Sequence, residues 1–212
     1  MTDVATGQTV PPPGTWMYYG LKKLDTPRTA IFVAPQGLDN GWANFNDQDT
    51  KFLDDIVQTV SEHLCIDRTR IFAGGFGYGG MLSSTLACAR PEVYRALGPQ
   101  NGFGSCANAK PVAFIGIGST DGTNKSLQSY ARTIAKANGC SDPERQAMPI
   151  PLAGSRQHIC TSFTGCPAGY PVRFCAFDEG HQAAPFDGAN GDQDDGSRTW
   201  VPEEIWKFYT QL

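Results

Sequence analysis

The stretch "RIFAGGFGYGGML", residues 70–82, constrains this chain more than any other. An apolar run ends in a glycine-rich turn and passes into a segment of helical character. Gly75, Gly77 and Gly80 spell G-x-G-x-x-G, the turn whose glycines let a backbone approach a dinucleotide pyrophosphate. The same residues stand one substitution away from G-x-S-x-G, the sharp turn that presents a nucleophilic serine. Which of the two it is decides the chemistry.

The rest of the chain supplies the frame. "TAIFVAPQG" (29–37) is a short, partly β-branched apolar run closed by Pro and Gly, and it predicts a buried strand. Phe52, Ile56, Val60 and Leu64 recur every fourth position and predict an amphipathic helix over 49–64. "RIFAGG" (70–75) predicts a strand and 78–91 a helix ended by Pro91; 111–118 predicts a strand and 126–139 a helix capped by Gly139. Residues 140–169 hold three cysteines and no clear period, which reads as an excursion pinned by disulfides. "YPVRFCAF" (170–177) predicts a further strand and 202–212 a terminal helix. The alternation of strand and helix predicts one α/β domain over 1–212, a mostly parallel sheet covered on both faces.

Against that frame the two readings of the glycine turn separate. A dinucleotide fold places an Asp or Glu at the end of the next strand, and "VYRALGPQNGF" (93–103) offers none. The esterase turn asks for an acid and then a histidine, each after a later strand. "FIGIGSTDG" supplies Asp121 and "FCAFDEGHQ" supplies His181. The imidazole would take the nucleophile's proton, and the carboxylate would hold the tautomer and stabilise the imidazolium. Asp121 also suits a plain Asp-Gly turn, but the order 77, 121, 181 with both residues at strand ends favours the catalytic reading. His63, near a helix end, and His158, in the irregular segment, have no comparable setting.

Composition narrows the partners. A net charge of −4 with no basic cluster argues against a nucleic-acid or anionic-membrane surface, and no apolar run approaches the roughly 18 residues of a membrane span. Seven cysteines, at 65, 88, 106, 140, 160, 166 and 175, contain no C-x-x-C, which argues against a zinc ribbon. Scattered singles in a Gly- and Pro-rich acidic chain predict disulfides made in an oxidising compartment, although some would serve equally as small buried hydrophobes. Asn124-Lys125-Ser126 is a glycosylation sequon compatible with secretion. The opening "MTDVATGQTVPPPGTW" carries no signal peptide, and the cysteine count is odd; both fit a sequence that begins inside a longer secreted protein.

The blocks "TDVATGQTV", "GTWMYYGLKKLD", "AIFVAPQGLDNGWAN", "GYGGMLSSTLACARPEVYRA", "GYPVRFCAFDEGH" and "WVPEEIWKFYTQL" make the chain resemble, along its whole length, the fungal feruloyl esterases. These are secreted α/β-hydrolases, related to acetyl xylan esterases and polyhydroxybutyrate depolymerases, that cleave ferulate esters on arabinoxylan and pectin. The resemblance implies an α/β-hydrolase fold, no metal or other cofactor, a monomer, and a nucleophile at position 77, written G-F-S-Y-G in the family. It implies Asp121 as triad acid, His181 as base, the Tyr78 backbone N–H as an oxyanion donor, and Trp42 near the substrate. It also goes with the pairings Cys65–Cys88, Cys140–Cys175 and Cys160–Cys166, leaving Cys106 without a partner.

The chain departs from that family twice. Position 77 is Gly, which has no oxygen to attack an ester, and Ser83 and Ser84 lie too far along the helix to lend one. Family members also carry a segment before "TDVATGQTV", with further strands and a second oxyanion donor. One of those strands would lie between 29–35 and 70–75, so its loss would leave backbone unpaired and lower stability. The expectation is a feruloyl-esterase-like chain that is inactive or severely impaired. The alternatives are a non-catalytic polysaccharide-binding protein, acetyl xylan esterase or depolymerase-type specificity, and calcium binding at "NGDQDDG" (190–196), which fits an EF-hand poorly and reads better as a solvated loop.

Overall fold

The computed structural model describes residues 18–104, 106–119, 123–148, 150–188 and 197–212. Along them run α1 (Leu21–Leu24), α2 (Gln48–His63), β1 (Phe72–Phe76), α3 (Tyr78–Ala89), β2 (Ala96–Gln100), β3 (Ala113–Ser119), α4 (Thr123–Ala137), β4 (His158–Ser162), β5 (Val172–Phe177) and α5 (Val201–Thr210). The five strands form one sheet in the order β1-β2-β3-β5-β4. The first four are mutually parallel and β4 pairs antiparallel with β5 at the far edge.

The strand at the centre explains the layers. Every residue of β3, "AFIGIGS", is buried, because successive side chains enter opposite helical layers. Phe114 joins Leu97, Val172 and Phe174 against Leu86 of α3 and Leu127, Tyr130 and Ile134 of α4. Its neighbour Ile115, with Ile117, Ala96 and Phe177, packs against Val201, Ile205, Phe208 and Tyr209 of α5. Each fully buried Phe, Leu or Ile contributes about 1.5–3 kcal/mol relative to exposure. A parallel sheet covered on both faces reads as a continuous apolar run, as β3 does. Among the described residues no helix is long and apolar enough to cross a membrane.

Three expectations are corrected. Residues 29–36 form no strand: the amides of Thr29 and Ala30 bond the Asp25 carboxylate at 3.0 and 2.9 Å, and the segment joins no ladder among the described residues. An apolar β-branched run becomes a strand only beside a partner. Conversely, β4 arises inside 140–169, where its half-exposed edge position removes the apolar period. The stripe on α2 is also displaced. Phe52 and Leu64 are exposed, while Leu53, Ile56, Val57 and Val60 line a cleft against β1.

The cysteine pairing is corrected as well. The bridges are Cys88–Cys106, Cys140–Cys166 and Cys160–Cys175, and Cys65 is free and exposed. Register explains the third, since Cys160 of β4 sits directly opposite Cys175 of β5. That leaves Cys140, just after α4, to meet Cys166. Cys88 lies in the last turn of α3 and turns toward the segment after β2, where Cys106 is, and away from Cys65 after α2.

Candidate active site

Ligands of open parallel sheets bind beyond the carboxyl ends of the strands, and the glycine turn lies at such an end. β1 stops at Phe76, α3 starts at Tyr78, and Gly77 alone makes the reversal, with φ 56° and ψ −117°. That backbone suits Gly and is tolerated by other residues only under strain. The turn is tight enough that a Cβ on Gly75 would stand 2.6 Å from the Gly79 carbonyl carbon. The Gly77 N–H donates to Gln100 O at 3.0 Å and its carbonyl accepts from Met81 N–H at 2.9 Å, so both sides of the turn are fixed. Tyr78 is the first residue of α3, where a helix leaves its amides without intrahelical partners and the dipole favours negative charge.

His181 follows β5 and reaches the same point. A Cβ built on Gly77 would meet His181 Nε2 at 3.4 Å and, beyond its chain neighbours, no other described atom within 4 Å. The imidazole packs against Phe76 with ring centroids 4.5 Å apart. Its loop is anchored on either side of the histidine. The Asp178 carboxylate accepts from the Arg156 amide at 2.9 Å and the Ser155 hydroxyl at 3.2 Å. Asp187 accepts from the His158 amide and from Nδ1 of its ring, each at 2.9 Å. Burial, followed by the charges of Asp178 and Asp187, raises the Glu179 carboxyl above the ordinary glutamate value.

The other sequence candidates are distributed unevenly. Trp42 lines the cleft, its indole nitrogen 4.0 Å from where a Gly79 Cβ would stand. Asp121 and the acidic loop 190–196 lie outside the described residues; β3 ends at Ser119, two positions before Asp121. Asn124 falls in the first turn of α4, and its side chain is likewise outside that set. The Ser83 and Ser84 hydroxyls are buried and donate back to Gly80 O at 3.0 and 2.8 Å, within their own helix. His63 bonds Thr59 O near the end of α2, and His158 stacks on Trp200 with centroids 3.9 Å apart. His158, Cys160 and Glu204 converge, but Cys160 is bridged to Cys175 and Glu204 pairs with Arg173 at 2.6 Å, so the donor set does not suit a metal.

Position 77 opens into a cleft of about 1630 Å³ that runs along the outer edge of β1. Trp42, Tyr78, Gln100, Phe103 and His181 surround its chemical end, and Ile31, Val33, Ile56 and Val60 line its apolar length. Among the described residues His181 is the one histidine on the cleft wall. Sequence reasoning did not single out Gln100 and Asn101, polar residues closing an apolar strand; both are 2% exposed at the centre of the site.

No family model matches the chain. It is 35% identical over 216 residues to a probable feruloyl esterase C of Aspergillus terreus, an alignment covering 99% of this chain and 73% of that protein. It is 34% identical over 215 residues to feruloyl esterase C of Emericella nidulans, with the same coverage. Feruloyl esterase D of Neurospora crassa is 35% identical over 205 residues, 94% of this chain and 68% of its own. Among solved structures, a thermostable esterase superposes with a TM-score of 0.50 at 15% identity, over 77% of this chain and 37% of the other, and shares the α/β-hydrolase fold. With more than a third of its residues matched across nearly its whole length, the chain belongs to the feruloyl esterase family.

Proposed function

We propose that the cleft is a carboxylic-ester hydrolase site of feruloyl esterase type in which Gly77 stands where the nucleophile belongs, so that the chain binds feruloyl esters but turns them over at a severely reduced rate. The observation that carries this reading is the 3.4 Å between His181 Nε2 and the Cβ position of residue 77. A hydroxyl one bond beyond that Cβ would come within hydrogen-bonding reach of the imidazole.

With serine at 77, the hydroxyl oxygen would attack the ester carbonyl as its proton passes to His181 Nε2. The oxyanion would be met by the Tyr78 N–H, and Asp121 would hold the imidazole tautomer. Collapse would expel the sugar alcohol with the proton from His181, and water would release ferulate by the same route. With Gly77 no acyl-enzyme forms, and the rate falls by on the order of 10⁶. Oxyanion stabilisation and binding remain.

The substrates that fit are feruloylated arabinoxylan and pectin, the natural setting of feruloyl esters. The three disulfides suit an oxidising compartment, and we infer a secreted, monomeric protein comprising one domain. The same cleft without a nucleophile also supports a polysaccharide-binding role, in which capture rather than cleavage is the function. Equilibrium dialysis of the unmodified chain against methyl ferulate and feruloylated arabinoxylan tests the proposal. It expects saturable binding with negligible ferulate release. Absence of binding, or turnover at the order of 1–10³ s⁻¹ usual for enzymes, would contradict it.

A further inference from the structure

The geometry assigns to Gln100 and Asn101 the role of positioning residues that hold His181 against position 77. This rests on the active-site reading above and extends it to two residues at the cleft wall that act through the His181 loop.

Two loops must meet for His181 to face position 77: the β1–α3 turn and the segment after β5. The pair Gln100-Asn101, at the end of β2, bonds both of them and the last residues of β3. Gln100 O accepts from the Gly77 N–H at 3.0 Å, and the Asn101 N–H donates to Ile117 O at 2.8 Å. Asn101 Oδ1 accepts from the Ser119 N–H at 2.8 Å, where β3 ends ahead of Asp121. On the histidine side, Asn101 Nδ2 donates to Gln182 O at 3.1 Å. Gln100 Nε2 donates to the same oxygen at 3.2 Å and to Ala183 O at 2.7 Å. The carbonyl of the residue next to His181 is therefore gripped by two side-chain amides.

Strand alternation would send consecutive side chains to opposite faces. Asn101 breaks that alternation with φ 47°, a left-handed backbone that Asn adopts more readily than most residues, and both amides converge on Gln182 O. Buried amides that merely satisfied loop carbonyls would stabilise the fold without setting the distance from imidazole to residue 77. These bonds set it, because they join the backbone on either side of that distance: the Gly77 amide to one residue, the Gln182 carbonyl to the next.

The test uses a thiol as a ruler. In a Cys65→Ser/Gly77→Cys protein, with the three disulfides intact, the only free thiol faces His181. A neighbouring imidazolium lowers a thiol pKa below about 8.5 and raises its reactivity at acidic pH. Iodoacetamide alkylation followed from pH 5 to 10 should show that shift, and His181→Ala should abolish it. Adding Gln100→Met, close in shape but without the donor, or Asn101→Asp, which keeps the acceptor for Ser119 and the left-handed turn, should return the profile toward an ordinary thiol. The expected loss of rate at pH 6.5 is about tenfold, with a cooperative thermal transition retained.

An unchanged profile in both variants would overturn the assignment. So would a parent profile indifferent to His181→Ala, or a shift lost only together with the cooperative transition. No ester enters the measurement, so a cleft that fails to bind methyl ferulate would refute the functional reading while leaving this result intact.

Discussion

Gly77 and His181 face one another at the carboxyl end of the sheet, with His181 Nε2 3.4 Å from where a Cβ on Gly77 would stand. In the proposed site His181 is the base, and the atom it would serve is missing. The turn passes from strand to helix in one residue, since φ 56° and ψ −117° at Gly77 bring the next residue to the start of a helix. On the proposed reading, what Gly77 lacks relative to an ester-hydrolase elbow is one hydroxyl.

The elbow should be intolerant at Gly75. A Cβ there would stand 2.6 Å from the Gly79 carbonyl carbon, and backbone cannot give way as a flexible side chain can. Gly75→Ala is expected to destabilise the chain by about 3 kcal/mol, at the upper end of ordinary overpacking. Urea unfolding should show a lower midpoint at an unchanged slope.

The disulfide pattern makes a separate prediction. Cys160 and Cys175, 15 residues apart, bridge the edge strand β4 to β5. A closed loop of that length is worth about 3 kcal/mol in the chain-entropy account, so Cys160→Ala/Cys175→Ala should unfold correspondingly earlier in urea. In the native, unreduced protein a chromogenic disulfide reagent should titrate one thiol per chain, that of exposed Cys65. Peptide mapping should find Cys106 joined to Cys88.

Glu179 gives the stability a pH dependence of predictable sign. Burial raises its carboxyl above the ordinary value of 4.5, helped by the nearby charges of Asp178 and Asp187. The folded chain therefore holds this proton more tightly than the unfolded chain. Its stabilising contribution is full below the unfolded pKa and is lost as pH rises through the raised folded pKa. Glu179→Gln should leave the thermal midpoint unchanged below the ordinary glutamate range and raise it at neutral pH relative to the unmodified chain. Thermal scans across that window check it.

These predictions rest on features that differ in how openly the sequence announces them. The βαβ alternation was legible because β3 and β5 are buried on both faces, and such strands read as apolar runs between amphipathic helices, while partly exposed β1 was legible from the glycine turn that ends it. The end of β5 put His181 within four residues of a readable strand. By contrast, β4 carries the side chains of a half-exposed edge, "HICTS", with no period to detect. Residues 29–36 have strand composition without a strand partner. The cysteine pairing depended on the register of β4 against β5, which no spacing reveals. Gln100 and Asn101 look like the start of a loop, and their importance lies in contacts with Gln182 and Ala183, more than 80 positions away.

The most direct measurement is methyl ferulate hydrolysis by Gly77→Ser beside the unmodified protein under the same conditions. If His181 is poised for a nucleophile at position 77, the single hydroxyl should raise kcat by several orders of magnitude, toward the roughly 10⁶ that a triad nucleophile is worth, and His181→Ala should cancel the gain. A Gly77→Ser protein that binds methyl ferulate yet hydrolyses it no faster than the unmodified chain would contradict the account.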